Sequence, residues 1–199
     1  MREVTLAELG ALASDARQAL WAKTKAPDGA PRIYLHWSAG HYFQKFDDYH
    51  VNITADGKIY VSTDDLSETL AHTWHRNSGA VGISLCCACG ATSEDLGDEA
   101  PTAKQIEVMA QVIQVVADAL WLTICKKYVL THGEAADNED GWMAYDKSEE
   151  YGPRTTCERW DLEYLGTDES PRFNPWATDG SRGGDVLRGK ALWYKNNKS

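Results

Sequence analysis

His36 and His132 carry the first chemical signal in the chain. Each stands at or near the C-terminal end of an apolar run, Ile33-Tyr34-Leu35 before His36 and Val129-Leu130-Thr131 before His132. Open sheets place their binding crevices at such strand ends, and two neutral imidazoles on one sheet rim are a start for a zinc site. A carboxylate would complete a three-ligand set and leave a fourth position for water, the pattern of catalytic zinc. Arg159-Trp160-Asp161 offers that carboxylate in Asp161. Residue type alone leaves other readings open: a strand-end histidine can be a packed or capped residue, and Asp161 a surface acid near a turn. His75 is a candidate proton donor or substrate contact, or else a groove-lining structural residue. His50 follows Tyr49 on one strand, so the two point to opposite faces, and His41 and His72 read as surface residues. Glu134, two residues after His132, reads as an acid that orients a ligand or anchors a loop more than as a general base.

Periodicity and turn chemistry supply the elements that would position these residues. Thr5 and Glu8 form a capping-box pattern, and Leu6, Leu9, Leu12, Ala16 and Leu20 follow at helical spacing up to the Pro27–Pro31 turn. Arg32–Ser38 predicts a strand, His50–Ile53 and Lys58–Ser62 a hairpin around Asp56-Gly57, and Ala80–Cys87 a strand buried on both faces. Thr102 and Gln105 open a long helix whose apolar stripe runs from Ile106 through Trp121 to Ile124, and Lys127–Thr131 predicts a last strand. Residues 134–157 are acid-rich and lack periodicity, which predicts a solvated insertion loop. The basic extension over about 172–199 holds a closing helix around Asp185–Trp193. The expected fold is α/β, one domain over residues 1–199 with a mixed central β-sheet flanked by helices.

Composition narrows the partners. A formal charge of −10 disfavours nucleic acid or an anionic membrane surface, and no apolar run reaches the roughly 18 residues of a membrane span. The opening MREVTLAELGALASDARQAL lacks a secretory signal's apolar core and cleavage site, so the expectation is synthesis in the cytoplasm without one. Five cysteines, three of them in Cys86-Cys87-Ala88-Cys89, suit reduced thiols on a buried strand better than a disulfide framework or a metal knot.

Six motifs, in chain order over about residues 30–176, resemble the zinc-dependent N-acetylmuramoyl-L-alanine amidases of the type shared by phage endolysins and peptidoglycan recognition proteins. Ile33-Tyr34-Leu35-His36-Trp37-Ser38-Ala39 is similar to that family's first strand with its first zinc ligand. Tyr49-His50-Val51-Asn52-Ile53, then Asp56-Gly57-Lys58-Ile59-Tyr60, resembles the hairpin whose leading tyrosine faces the metal. Trp74-His75-Arg76-Asn77 and Val81-Gly82-Ile83 resemble the loop and strand along the substrate groove, and Pro101-Thr102 to Gln105 the start of the long helix. Thr131-His132-Gly133-Glu134 is similar to the second-ligand motif, and Arg159-Trp160-Asp161 to the basic residue, spacer and third ligand. The chain departs from the pattern in the long acidic stretch between His132 and Asp161 and in arginine where lysine is commoner. It also has Ser84 where some intracellular members carry a catalytic glutamate, which with Tyr49 present is similar to the endolysin-like branch. Some members use cysteine as third ligand, which makes Cys157 the alternative; Asp161 is preferred because Arg159 stands two residues before it.

The resemblance implies Zn²⁺ held by His36, His132 and Asp161, with Tyr49 and Arg159 stabilising charge on the carbonyl oxygen under attack. Trp37, Trp74, His75 and Asn77 become candidate substrate contacts, with Trp160 a further groove wall, while Trp21 and Trp121 lie on helix stripes and read as core. The implied substrate is peptidoglycan, cut at the amide between N-acetylmuramic acid and the L-alanine of the stem peptide. The alternative is a non-catalytic muropeptide-binding protein of the same fold. The implied setting is a monomeric phage or prophage endolysin, released to the wall by a holin or by signal-independent export.

Overall fold

In the computed structural model, which describes residues 1–197, the elements run β1 (Arg2–Val4), α1 (Leu6–Lys23), β2 (Arg32–Trp37), β3 (Val51–Ile53), β4 (Ile59–Val61), β5 (Ala80–Leu85), α2 (Ala103–Ala119), β6 (Val129–Thr131), α3 (His132–Ala136) and α4 (Gly183–Asn196). The six strands form one mixed sheet in the order β1-β4-β3-β5-β2-β6. β3, β5, β2 and β6 are mutually parallel, and β4 and β1 close one edge antiparallel. The expected α/β class with a mixed sheet is the observed one. β1 was not anticipated; three residues are too few to show a period.

Alternation along β2 decides which face does what. Ile33, Leu35 and Trp37 enter the main core with Leu9, Leu20, Met109, Ile113 and Leu187 from α1, α2 and α4. Tyr34 and His36 take the opposite face, where Tyr34 meets Ala80, Leu130 and Ala135. Each large side chain so buried contributes roughly 1.5–3 kcal/mol. α1 and α2 begin with the capping boxes read from sequence, Thr5 with Glu8 and Thr102 with Gln105. Gln105 does more than cap: its Nε2 donates to the carbonyls of Ile53 and Cys86, tying α2 to the ends of β3 and β5.

Three expectations need correction. Trp121 is 73% exposed rather than core, because α2 stops at Ala119 and Trp121 sits at φ +61 in the turn that ends it. Its N–H donates to Asp118 O and that of Leu122 to Ala117 O, the paired bonds of a Schellman motif, while Arg17 lies over the indole. Trp21 is also part-exposed, with its indole N–H on Leu120 O. The acidic segment is a solvated loop only in part: Glu134–Asn138 are buried and begin with α3, while Asp146–Glu149 are exposed. Three of its acids meet arginines from distant parts of the chain. Asp140 pairs with Arg76 at 2.8 Å, Glu139 with Arg182 at 2.9 Å, and Glu134 with Arg188 at 2.7 Å.

Candidate metal centre

β2 and β6 are adjacent and parallel, so the residues that end them come to one rim of the sheet. His36 lies inside β2 and His132 is the first residue of α3, directly after β6. Their rings are 4.8 Å apart, nearly perpendicular, and Asp161 reaches both from a loop. His36 Nδ1 is 3.4 Å and His132 Nδ1 is 3.6 Å from Asp161 Oδ2. These three side chains have one donor atom each within 4.8 Å of the others. Cys157 is not in that group; it stands at φ +57, its N–H donating to Gly152 O at 2.8 Å.

The donor set suits a zinc ion. Contacts of 3.4 and 3.6 Å are long for hydrogen bonds, but tetrahedral bonds of about 2.0–2.1 Å put ligand atoms roughly 3.3 Å apart. His36 Nδ1 is buried with no hydrogen-bond partner, a lone pair or proton left for something to satisfy. The opposite nitrogens are engaged: His36 Nε2 with Thr73 Oγ1 and His132 Nε2 with Tyr151 Oη, each at 3.3 Å. Such outer contacts fix ring orientation and point Nδ1 inward. Burial, with His132 beside it and Asp161 opposing, pushes the His36 imidazole down to about 4, so it is neutral at neutral pH. Burial pushes Asp161 upward, yet the two histidines overcome it and hold the carboxyl well below its usual range.

The site opens to a cavity of about 970 Å³ lined by Tyr49, Thr73, Trp74, Tyr151, Arg159 and Trp160, among others. The Tyr49 ring lies 5.0 Å from that of His36, and burial lifts its phenol well above its ordinary value, so it remains a proton-bearing donor. Arg159 lines the cavity but half-faces solvent, its guanidinium on the carbonyl and carboxylate of Glu158. Trp74 is 46% exposed and packs with Tyr145 and Tyr151. Trp37 is 5% exposed and meets Trp160 edge-on, so it backs the cavity from the core more than it offers a face to a ligand. Asn77 lines the cavity, but its Oδ1 accepts from the N–H groups of His72 and Thr73 and shapes the loop. His75 packs at a tilt against Trp74, exposed, and is not part of the cavity lining.

His72 was expected at the surface and is buried instead, its ring 5.3 Å from His36 and 5.5 Å from His50. Its Nδ1 meets Thr73 Oγ1 at 3.0 Å, so a chain of contacts runs from His72 through Thr73 to His36. His50 is buried away from the centre, accepting from Gly82 N and bonded to Glu68 O. Glu134 turns from the centre to a two-point pair with Arg188, the loop-anchoring role. Thr73, Tyr151 and Tyr145 were not read from sequence, since nothing periodic marks a loop residue that becomes a neighbour only on folding.

Gly82 gives a sharp test of this packing. A Cβ there would lie 2.7 Å from the His72 ring. Gly82→Ala is expected to cost about 1–3 kcal/mol by overpacking and to loosen metal binding by displacing His72 and, through Thr73, His36. Thermal denaturation and metal titration would check both.

No curated protein and no solved structure matches the chain. The family described as N-acetylmuramoyl-L-alanine amidase matches residues 14–157, a span that holds both histidines and ends shortly before Asp161. Among the described residues no helix is long and apolar enough to cross a membrane. With most of its length inside that match, the chain belongs to the N-acetylmuramoyl-L-alanine amidase family.

Proposed function

We propose that the protein is a zinc-dependent peptidoglycan amidase that hydrolyses the bond between N-acetylmuramic acid and the L-alanine of the stem peptide. The observation that carries this reading is the convergence of His36 Nδ1, His132 Nδ1 and Asp161 Oδ2 at an open cavity in a chain of that family. Bound there, zinc would supply a Lewis acid and a water whose pKa falls from about 15.7 towards 7. Thr73 and Tyr151 hold the two imidazoles so that their Nδ1 atoms face that position. The protonated Tyr49 phenol beside His36 donates to the carbonyl oxygen as charge develops on it, and Arg159 swings from Glu158 to assist. Trp74, Tyr151 and Trp160 wall the cavity with aromatic faces suited to sugar rings and the lactyl group. Tyr49 beside the centre and Ser84 opposite His36 on β5 support an endolysin-like role for this enzyme.

The test is digestion of purified peptidoglycan with and without a chelator, with products sorted by mass. The reading requires zinc-restorable release of stem peptides with free N-terminal L-alanine. Metal-loaded protein that binds muropeptides without cutting them would make it a receptor instead. Tyr49→Phe is expected to lower kcat on the order of a hundredfold with KM little changed, because the lost donor acts on charge that is absent in the ground state. An unchanged kcat in steady-state assays would remove Tyr49 from the chemistry.

A further inference from the structure

Away from the metal centre, one cluster sets a thiol, an imidazole and a carboxylate in hydrogen-bonding order. A parallel bridge joins Gly40 to Ala88, and the next residues on the two loops are His41 and Cys89. Cys89 Sγ lies 3.9 Å from His41 Nε2, and His41 Nδ1 lies 2.5 Å from Glu99 Oε1. Glu99 is itself pinned: its Oε2 accepts from the Tyr42 N–H at 2.6 Å, and its carbonyl accepts from the Ala88 N–H at 2.7 Å. Each of the three segments is therefore tied to the others by backbone as well as side chain. His41 is 68% exposed along its side chain, so a small reagent can reach it.

Burial makes three of the other cysteines harder to ionise. Burial pushes the Cys86 thiol up to about 11 and the Cys87 thiol well above its ordinary value. Cys157 is raised by burial and by Glu163 and Asp137 nearby. Among the described residues, Cys89 is the cysteine whose sulfur meets an imidazole. The contact with Glu99 favours the tautomer that carries its proton on Nδ1, which leaves Nε2 facing Cys89 Sγ as an acceptor. Asp98, Tyr42 and the buried Cys87 are the other titratable groups around the cluster. The same three donors could gather a metal ion, but Glu99 and His41 already satisfy each other.

We propose that Cys89 is a reactive thiol, activated by His41 and Glu99, that exchanges with small disulfides. The Cys89 proton passes to His41 Nε2, and the thiolate electron pair attacks one sulfur of the disulfide. A Cys89–sulfur bond forms as the reagent's sulfur–sulfur bond breaks, and the departing thiolate takes the proton back from the imidazolium. The product is a mixed disulfide at Cys89 and one free small thiol, with no other oxidant needed.

The experiment is the reaction of the intact folded chain with 5,5′-dithiobis(2-nitrobenzoate), a chelator present, followed by absorbance against pH, with the labelled cysteine mapped by mass spectrometry. One thiol should react ahead of the rest and map to Cys89, and Cys89→Ser should remove that phase. In His41→Ala the fast phase should move to higher pH and its rate at pH 7 should fall about threefold, because the greater nucleophilicity of a more basic thiolate offsets only part of the lost ionisation. Glu99→Gln should shift the phase in the same direction, and melting curves would show that each variant is folded. A fast phase mapping to Cys125 or Cys157, or a His41→Ala profile superimposable on the parent's, would overturn the proposal. None of these readouts depends on peptidoglycan hydrolysis.

Discussion

Asp161→Ala is expected to lose stoichiometric zinc and to cut peptidoglycan hydrolysis on the order of a thousandfold or more, since two neutral imidazoles alone hold the ion weakly and orient no third face of the site. Asp161 is the atom-level meeting point of the centre, 3.4 Å from one histidine and 3.6 Å from the other. Its removal takes away a buried carboxylate without opening the main core, so the fold should survive and circular dichroism should match the parent. Cys157→Ser is the companion variant, with metal content and rate expected within about twofold of the parent, because its thiol is outside the converging donors. Metal analysis and turnover on the two variants decide the third ligand. If Cys157→Ser loses zinc while Asp161→Ala keeps it, the assignment of the centre is wrong and the hydrolysis reading survives.

Arg182→Ala should produce a large loss of stability. The guanidinium is 1% exposed and is shared between Glu163, with Nε and Nη2, and Glu139, with Nη1 and Nη2. Truncation leaves two carboxylates in a dry pocket with their principal counter-charge gone, a loss of about 3–5 kcal/mol or roughly 6–20 °C in Tm for a chain this size. Burial already pushes the Glu163 carboxyl up, against the pull of Arg182. Without Arg182 that rise grows, so the folded state holds the Glu163 proton more tightly than the unfolded state does. A raised carboxyl pKa gives stability that is present below the unfolded value and fades as pH climbs through the folded one. The deficit of the variant should therefore be smaller at about pH 5 than at about pH 8, as measured by denaturant melts. A Tm within a degree or two of the parent at both values would mean that water reaches the pocket and solvates the acids.

This network accounts for the buried part of the acidic segment. Seven acids against one lysine between Glu134 and Glu150 look like a solvated loop, because the local window holds a single cation for seven anions. Three of them, Glu134, Glu139 and Asp140, pair with Arg76 and Arg32 from before β5 and with Arg182 and Arg188 from the C-terminal region. The first part of the insertion is thus a buried clasp that ties segments from both sides of it together. Tyr145 and Tyr151, which the insertion carries, both pack on Trp74, and Tyr151 forms part of the cavity wall.

Much of the frame was legible in advance for a physical reason. Capping boxes, the stripe of α2 and the unbroken apolar run of β5 are local signals, repeated at the period of the element they build. Strand-end histidines were legible too, because a parallel sheet exposes its strand ends at one rim whatever the rest of the chain does. Tertiary structure alone decided the remainder. That His72 lies under His36, that Thr73 and Tyr151 hold the imidazoles, and that Asp161 rather than Cys157 turns inward depend on loops whose paths are set by distant contacts. A contact between residues dozens of positions apart leaves no period in the sequence; it exists only once the sheet and the arginine clasp have brought the loops together.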